Sequence, residues 1–239
     1  MKKNGQLIAA AAIAVIVVAG IATAAINKAG GLDVVGKDSA SAFGAVLDAD
    51  PELVEAEEDH AGWALNAPDK AVRFIWSEDY SRSPVYDVML EFDAAPFLEA
   101  GLDTEKLPEN YQFSDGLITV GTRLSNKPAA EKEELSPLLA YEKIVKKARS
   151  SINYHTAMDH YGVKLGDGNM FEWAKNMEKN TVTSENQDKD IVFVLNPEPL
   201  IEAGADPEKV DGWVYATVPV EEDGKNVDVY KFLKPFDLK

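Results

Sequence analysis

The chain has 239 residues, 46% of them hydrophobic and 9% aromatic, enough to close the core of one or two domains and too apolar for a disordered chain. Its 24 basic and 41 acidic residues leave a net charge of -17, a field that repels phosphate backbones, so no nucleic-acid partner is expected. Cysteine is absent, which excludes disulfides, thiolate metal sites, a catalytic thiol and a lipidated cysteine anchor.

The first expected element is a transmembrane signal-anchor helix. Lys2 and Lys3 precede residues 7–26, an uncharged run made almost wholly of Ala, Val and Ile. As a helix it is about 30 Å long and can cross a bilayer. Lysines before the span and an acidic mass after it place the amino terminus in the cytoplasm and the rest outside. The competing reading is a secretory signal cleaved near Ala24, since Ala22-Thr23-Ala24 has the small-x-small pattern of a cleavage site; the chain is then secreted. The run is longer than most cleaved signals, so the anchor is carried forward. The expected organisation is an anchor over 1–26, a Gly-rich tether over 27–38, a first α+β unit over 39–124, a linker over 125–132 and a second α+β unit over 133–239.

Residues 39–47 suit a helix, and Asp50-Pro51 reads as a fresh N-cap opening a second helix to about residue 59. Glu55, Glu57, Glu58 and Asp59 crowd charge at its carboxyl end, against the helix dipole, so that end should fray or find a cation. Strands are expected over 72–76 and 85–92. Asp93 then caps a helix of one to two turns, with Pro96 in its first turn and Gly101 as its left-handed stop. Residues 111–114 and 117–124 flank Asp115-Gly116, a hairpin signature, and 213–220 and 227–233 flank a longer turn at Asp223-Gly224. Ser136-Pro137 opens a helix whose Leu138, Tyr141, Val145, Ala148 and Ile152 share a face. Its Lys143, Lys146, Lys147 and Arg149 gather late, where the dipole favours cations. This basic cluster is expected to be a solvated face or a mate for the Glu-rich segment of the other unit, with docking of an acidic partner or cell-wall polyanion as the alternative.

One stretch is spelled twice. DVMLEFDAAPFLEAGLDTEKL begins at Asp87 and DIVFVLNPEPLIEAGADPEKV at Asp190, with eight of 21 paired positions identical. In the same order, Asp59-His60-Ala61-Gly62 answers Asp159-His160-Tyr161-Gly162, and Phe74-Ile75-Trp76 answers Phe171-Glu172-Trp173. The expectation is two copies of one strand, helix and hairpin unit, related by an approximate twofold or a tandem translation.

The candidate site residues follow from the repeat. His60 and His160 match, so a twofold could bring both imidazoles to one axis as metal or axial cofactor ligands. The local alternative is that in Asp-His-x-Gly the aspartate turns the backbone, the histidine satisfies a carbonyl and the glycine takes a positive φ. His155 and Asp159, four apart on an expected helix end, place a nitrogen and a carboxylate on one face, and Asp59 belongs to the same set. The identity of any metal or cofactor is left unknown by these patterns. No nucleophile elbow, phosphate loop, zinc helix or calcium loop is present, so no catalytic residue is assigned. Trp76 and Trp173 match and read as core, whereas Trp63 and Trp213 do not and are the candidates for a binding surface. These features point to a membrane-anchored extracytoplasmic binding or structural module of the cell envelope, with an unidentified envelope component or protein as partner. A metal- or cofactor-carrying protein is the second reading, and an envelope hydrolase a weaker third.

Overall fold

A computed structural model describes residues 31–58, 61–77, 86–123, 135–155, 159–177, 189–222 and 225–239. The expected anchor over 1–26 lies outside them. Among the described residues no helix is long and apolar enough to cross a membrane.

The protein is a β-rich α+β fold of two six-stranded antiparallel sheets. The first contains β1 (Val54–Glu57), β2 (Gly62–Asn66), β3 (Val72–Ser77), β4 (Val88–Asp93), β5 (Tyr111–Ser114) and β6 (Leu117–Thr122), ordered β1-β2-β3-β4-β6-β5. The second contains β7 (Ile152–His155), β8 (His160–Gly166), β9 (Asn169–Ala174), β10 (Ile191–Leu195), β11 (Val214–Glu222) and β12 (Lys225–Phe236). Its order, β7-β8-β9-β10-β12-β11, is the same path through the sheet. A longer helix precedes each sheet, α1 (Gly31–Ala49) and α3 (Pro137–Lys147). A five-residue helix joins strands four and five of each, α2 (Ala95–Glu99) and α4 (Glu198–Glu202).

The local signals act as their chemistry requires. Ser136 caps α3 by accepting the Leu139 N–H, and Asp93 and Asn196 accept the N–H groups of Ala95 and Glu198 at the starts of α2 and α4. Gly101 and Gly204 end those helices at φ +102° and +108°, a conformation a side chain would strain.

Strand alternation buries Val72, Phe74 and Trp76 on one face of β3 and Phe171 and Trp173 on the matching face of β9. These faces meet. Phe74 stacks on Phe171 with centroids 4.3 Å apart and planes 5° from parallel, and one apolar cluster runs through both units. The long helices are exchanged: α1 packs on β7, β8 and β9 of the second unit, and α3 on β2 and β3 of the first. Phe43 of α1 lies between Trp76 and Trp173, with centroids at 5.3 and 5.1 Å. The helices run antiparallel at close range, since a Cβ on Gly36 would meet Val145 at 2.7 Å and one on Gly44 would meet Leu138 at 3.3 Å.

The relation between the units is a twofold, because their contacts are reciprocal. Asp103 N–H donates to Ala203 and Asp206 N–H to Ala100, both at 2.8 Å. The β2–β3 and β8–β9 turns also each reach the other unit, through partners that are not equivalent: Asp69 pairs with Lys234, and Asp167 accepts from Asn110. A tandem translation would leave such contacts one-sided.

Three expectations change. Among the described residues 50–58 there is no second helix: a 3-10 turn, Pro51–Leu53, leads directly into β1. All four residues of Val54–Glu57 pair with β2, and Arg73 on β3 supplies the cation that Glu55 and Glu57 need. The helix expected over 39–47 begins earlier, at Gly31, inside the stretch read as a tether. His155 and Asp159 are not on a helix end: α3 stops at Lys147, His155 ends β7 and Asp159 lies in the turn before β8. Ile152 accordingly leaves the helix face and opens β7.

Candidate functional site: a buried histidine and glutamate cluster

Both described histidines gather, with Glu172, on the outer face of the second sheet, the face turned away from the shared core. In β7, β8 and β9, His155 lies opposite His160, and Gly162 opposite Glu172. Cross-strand partners share a face, which puts both histidines and the glutamate on one surface. His160 and Glu172 are nonetheless buried, at 0% and 3% exposure.

The cover comes from the sheet's own last hairpin. Only residues 232–236 of β12 pair with β10; the rest of β12 continues beyond the sheet and pairs with β11 alone. This overhang folds back across the outer face. Val218, Val220 and Val229 pack there with Val192, Val194 and Met170. The overhang reaches the opposite edge strand, where the His155 Nε2–H donates to the Pro219 carbonyl at 3.0 Å. A proline on an edge strand must turn its nitrogen outward, which turns its carbonyl outward too. His155 satisfies that outward carbonyl.

The two imidazoles hold their protons differently. His155 Nδ1 lies 3.4 Å from a Glu172 carboxylate oxygen. Burial opposes a charge on His155, but the hydrogen bond and charge of Glu172 outweigh it and hold its proton above the ordinary 6.5. His160 is pushed the other way: burial drives it below 6.5 despite the nearby Glu172. Its Nε2–H donates to the Lys189 carbonyl at 2.8 Å, and its Nδ1 is buried with no hydrogen-bond partner. The arrangement favours the charged form of one imidazole, beside Glu172, and the neutral form of the other.

The expected site residues therefore separate. Asp59 and His60 lie outside the described residues. The strand register also removes their match to Asp159 and His160. Gly62 opens β2 opposite Glu57, and His160 opens β8 opposite His155, so His160 answers Gly62 and His155 answers Glu57. The sequence match is out of step by two residues, an offset that preserves the face and so escapes notice. The positive φ expected of the glycine falls instead on Ala61, at 46°, and on Asp159, at 52°. Asp159 accepts from the Tyr154 hydroxyl rather than sharing a ligand with His155. Among the described residues no three His, Asp or Glu side chains come together as a metal site.

The two tryptophans expected on a binding surface are engaged. Trp63 is half-buried and donates its Nε1–H to the Leu135 carbonyl at 3.0 Å. Trp213, 8% exposed, packs against Phe92 and Phe97 with Lys234 over its ring. Sequence reasoning missed Glu172, whose signal is a carboxylate set between Phe171 and Trp173 in a buried strand, and Pro219, whose signal is a proline inside an expected strand.

No protein-family model, characterised protein or solved structure matches this chain.

Proposed function

We propose that the chain is a membrane-anchored, extracytoplasmic binding or structural module of a bacterial-type cell envelope, built from a duplicated, non-catalytic unit. The observation that carries this reading is where the chemistry-bearing side chains go. The faces that could line a groove between two copies are packed against each other through Phe74 and Phe171. The histidine and glutamate cluster is closed beneath its own hairpin, and its hydrogen bonds run to backbone carbonyls. Such a body meets its partner, an envelope component or protein, through its outer surface. The uncharged run over 7–26 behind Lys2 and Lys3 supports the anchor, and the charge of -17 argues against nucleic acid.

The test uses the absence of native cysteine. A single cysteine at the exposed Gln112→Cys position in the full chain reacts in whole cells with a membrane-impermeant maleimide; protection until the cells are broken overturns the outside placement. The mass of the labelled chain separates a retained anchor from one cleaved near Ala24.

One observation favours a second reading, a metal- or cofactor-carrying protein: the buried, unpartnered Nδ1 of His160. A ligand there would protect the protein against heat and lose that effect in chelator. A Tm of the unmutated chain that chelator leaves unchanged removes this reading.

A further inference from the structure

The groove where α1 and α3 meet has a basic rim. Lys37 on α1 and Lys146 and Arg149 at the carboxyl end of α3 surround an apolar floor that includes Leu138 and Val145. One acidic side chain, Glu142, shares the groove, with its carboxylate 3.9 Å from the Lys146 Nζ. Lys37, Lys146 and Arg149 are exposed. In a chain of charge -17 this is a concentration of the opposite sign.

Its position is set by helix direction. Gly36 lies against Val145 and Gly44 against Leu138, so the antiparallel pairing brings the basic end of α3 beside the start of α1. That start follows closely on the apolar run. Four residues, 27–30, separate Ile26 from Gly31, and even fully extended they span at most roughly 14 Å. Lys37 is about 9 Å further along the helix. The far end of α1, about 27 Å from its start, carries Asp50 and Glu52 instead.

We infer that this basic groove is a docking surface for the anionic lipid headgroups of the bilayer that holds the anchor. The inference rests on the anchor proposed above. Anionic headgroups attract Lys37, Lys146 and Arg149 and repel the acidic remainder of the body, so the two effects turn the same end toward the membrane. The apolar floor between the cations faces the interface and is shielded from water there. The attraction is screened by salt within about 8 Å at physiological ionic strength, so close seating is required.

The test reconstitutes the full chain in vesicles of phosphatidylcholine alone or mixed with phosphatidylglycerol. It carries a fluorophore on Ser150→Cys beside the groove or, as a control, on Glu52→Cys. Flotation with both vesicle types is expected, with the Ser150 label sheltered from an aqueous quencher only in the anionic vesicles. The Glu52 label is open in both. Replacing Lys37, Lys146 and Arg149 by Gln lowers the sheltered population by roughly fivefold per charge removed, and high salt reverses the sheltering. Failure to float overturns the anchor, and the orientation with it. Flotation with the Ser150 label equally open in both vesicle types overturns the orientation alone. Sheltering in phosphatidylcholine vesicles on addition of soluble polyphosphate, without any response to phosphatidylglycerol, would replace the lipid by a soluble polyanion.

Discussion

The outer faces of the two sheets occupy equivalent backbone and carry different chemistry. On the first, Arg73 reaches Glu57 and Glu91 at 2.6 Å and lies 3.9 Å from Glu55. On the second, the register places His155 where Glu57 stands, Met170 where Arg73 stands and Val194 where Glu91 stands. Glu172 replaces the buried Ile75, and His160 replaces Gly62. The first network holds its charge on an arginine and remains partly open. The second lies under the overhang of β11 and β12, for which the short β5 and β6 hairpin has no equivalent length. On the inner faces, by contrast, Phe74 and Trp76 answer Phe171 and Trp173, and Leu90 and Phe92 are answered by Phe193 and Leu195, so large apolar side chains stand at every one of these positions. A twofold core constrains both copies at once, because inward side chains such as Phe74 and Phe171 pack across it; an outward side chain answers only to its own unit.

The sharpest way to break this comparison is at the core. Phe74→Ala and Phe171→Ala should each cost about 3–5 kcal/mol and leave one cooperative urea transition, since the cavity opens in a shared core. Two separated transitions would mean the units are not one body. Glu172→Ala should cost about 3 kcal/mol, because it removes a buried partner and leaves His155 without its counter-charge. Unfolding measured against pH sharpens the contrast. The His155 contribution is complete below its unfolded value of 6.5 and is lost as pH rises through its raised folded value. The His160 contribution is complete above 6.5 and is lost as pH falls through its lowered folded value. His155→Gln should therefore flatten the decline on the alkaline side, and leave the acid side in place; an unchanged alkaline decline would deny the pair its role.

The corresponding change on the first sheet is smaller. Arg73→Met should cost about 2 kcal/mol, partly restored by adding Glu57→Gln and Glu91→Gln. It should leave the profile near pH 6.5 unaltered, since among the described residues that network contains no histidine. Denaturant midpoints at several pH values read both effects. The smallest change is expected at the rim between the units. Lys234→Gln opens a bridge to a half-exposed Asp69 and should cost at most about 1 kcal/mol, with a similar loss for Asn110→Ala across the twofold.

Much of the fold was legible in the residues. The helix caps, the glycine stops and the hairpin at Asp115-Gly116 depend on short-range chemistry, and they appear where the spacing put them. The strand at Val54–Glu57 was hidden because Asp50-Pro51 is also a good helix opening; pairing with β2, which the propensities of residues 50–57 do not contain, decides between them. The likeness of the two sheets was legible, but its register at the histidines was not. A slip of two residues keeps every side chain on its face, so identity alone could not distinguish His60 from Gly62 as the counterpart of His160. The candidate site was half legible: His155 and His160 could be singled out, whereas Pro219 joins them only because a hairpin folds across the sheet from 64 residues away in the chain.

Native mass spectrometry of the full chain, extracted from the source envelope in mild detergent without added metal or chelator, tests most directly whether this body works through its surface. The bare chain mass is predicted, with the cluster at His155, Glu172 and His160 serving the fold alone. A stoichiometric excess matching a metal ion or small cofactor, lost in His160→Ala, would contradict it.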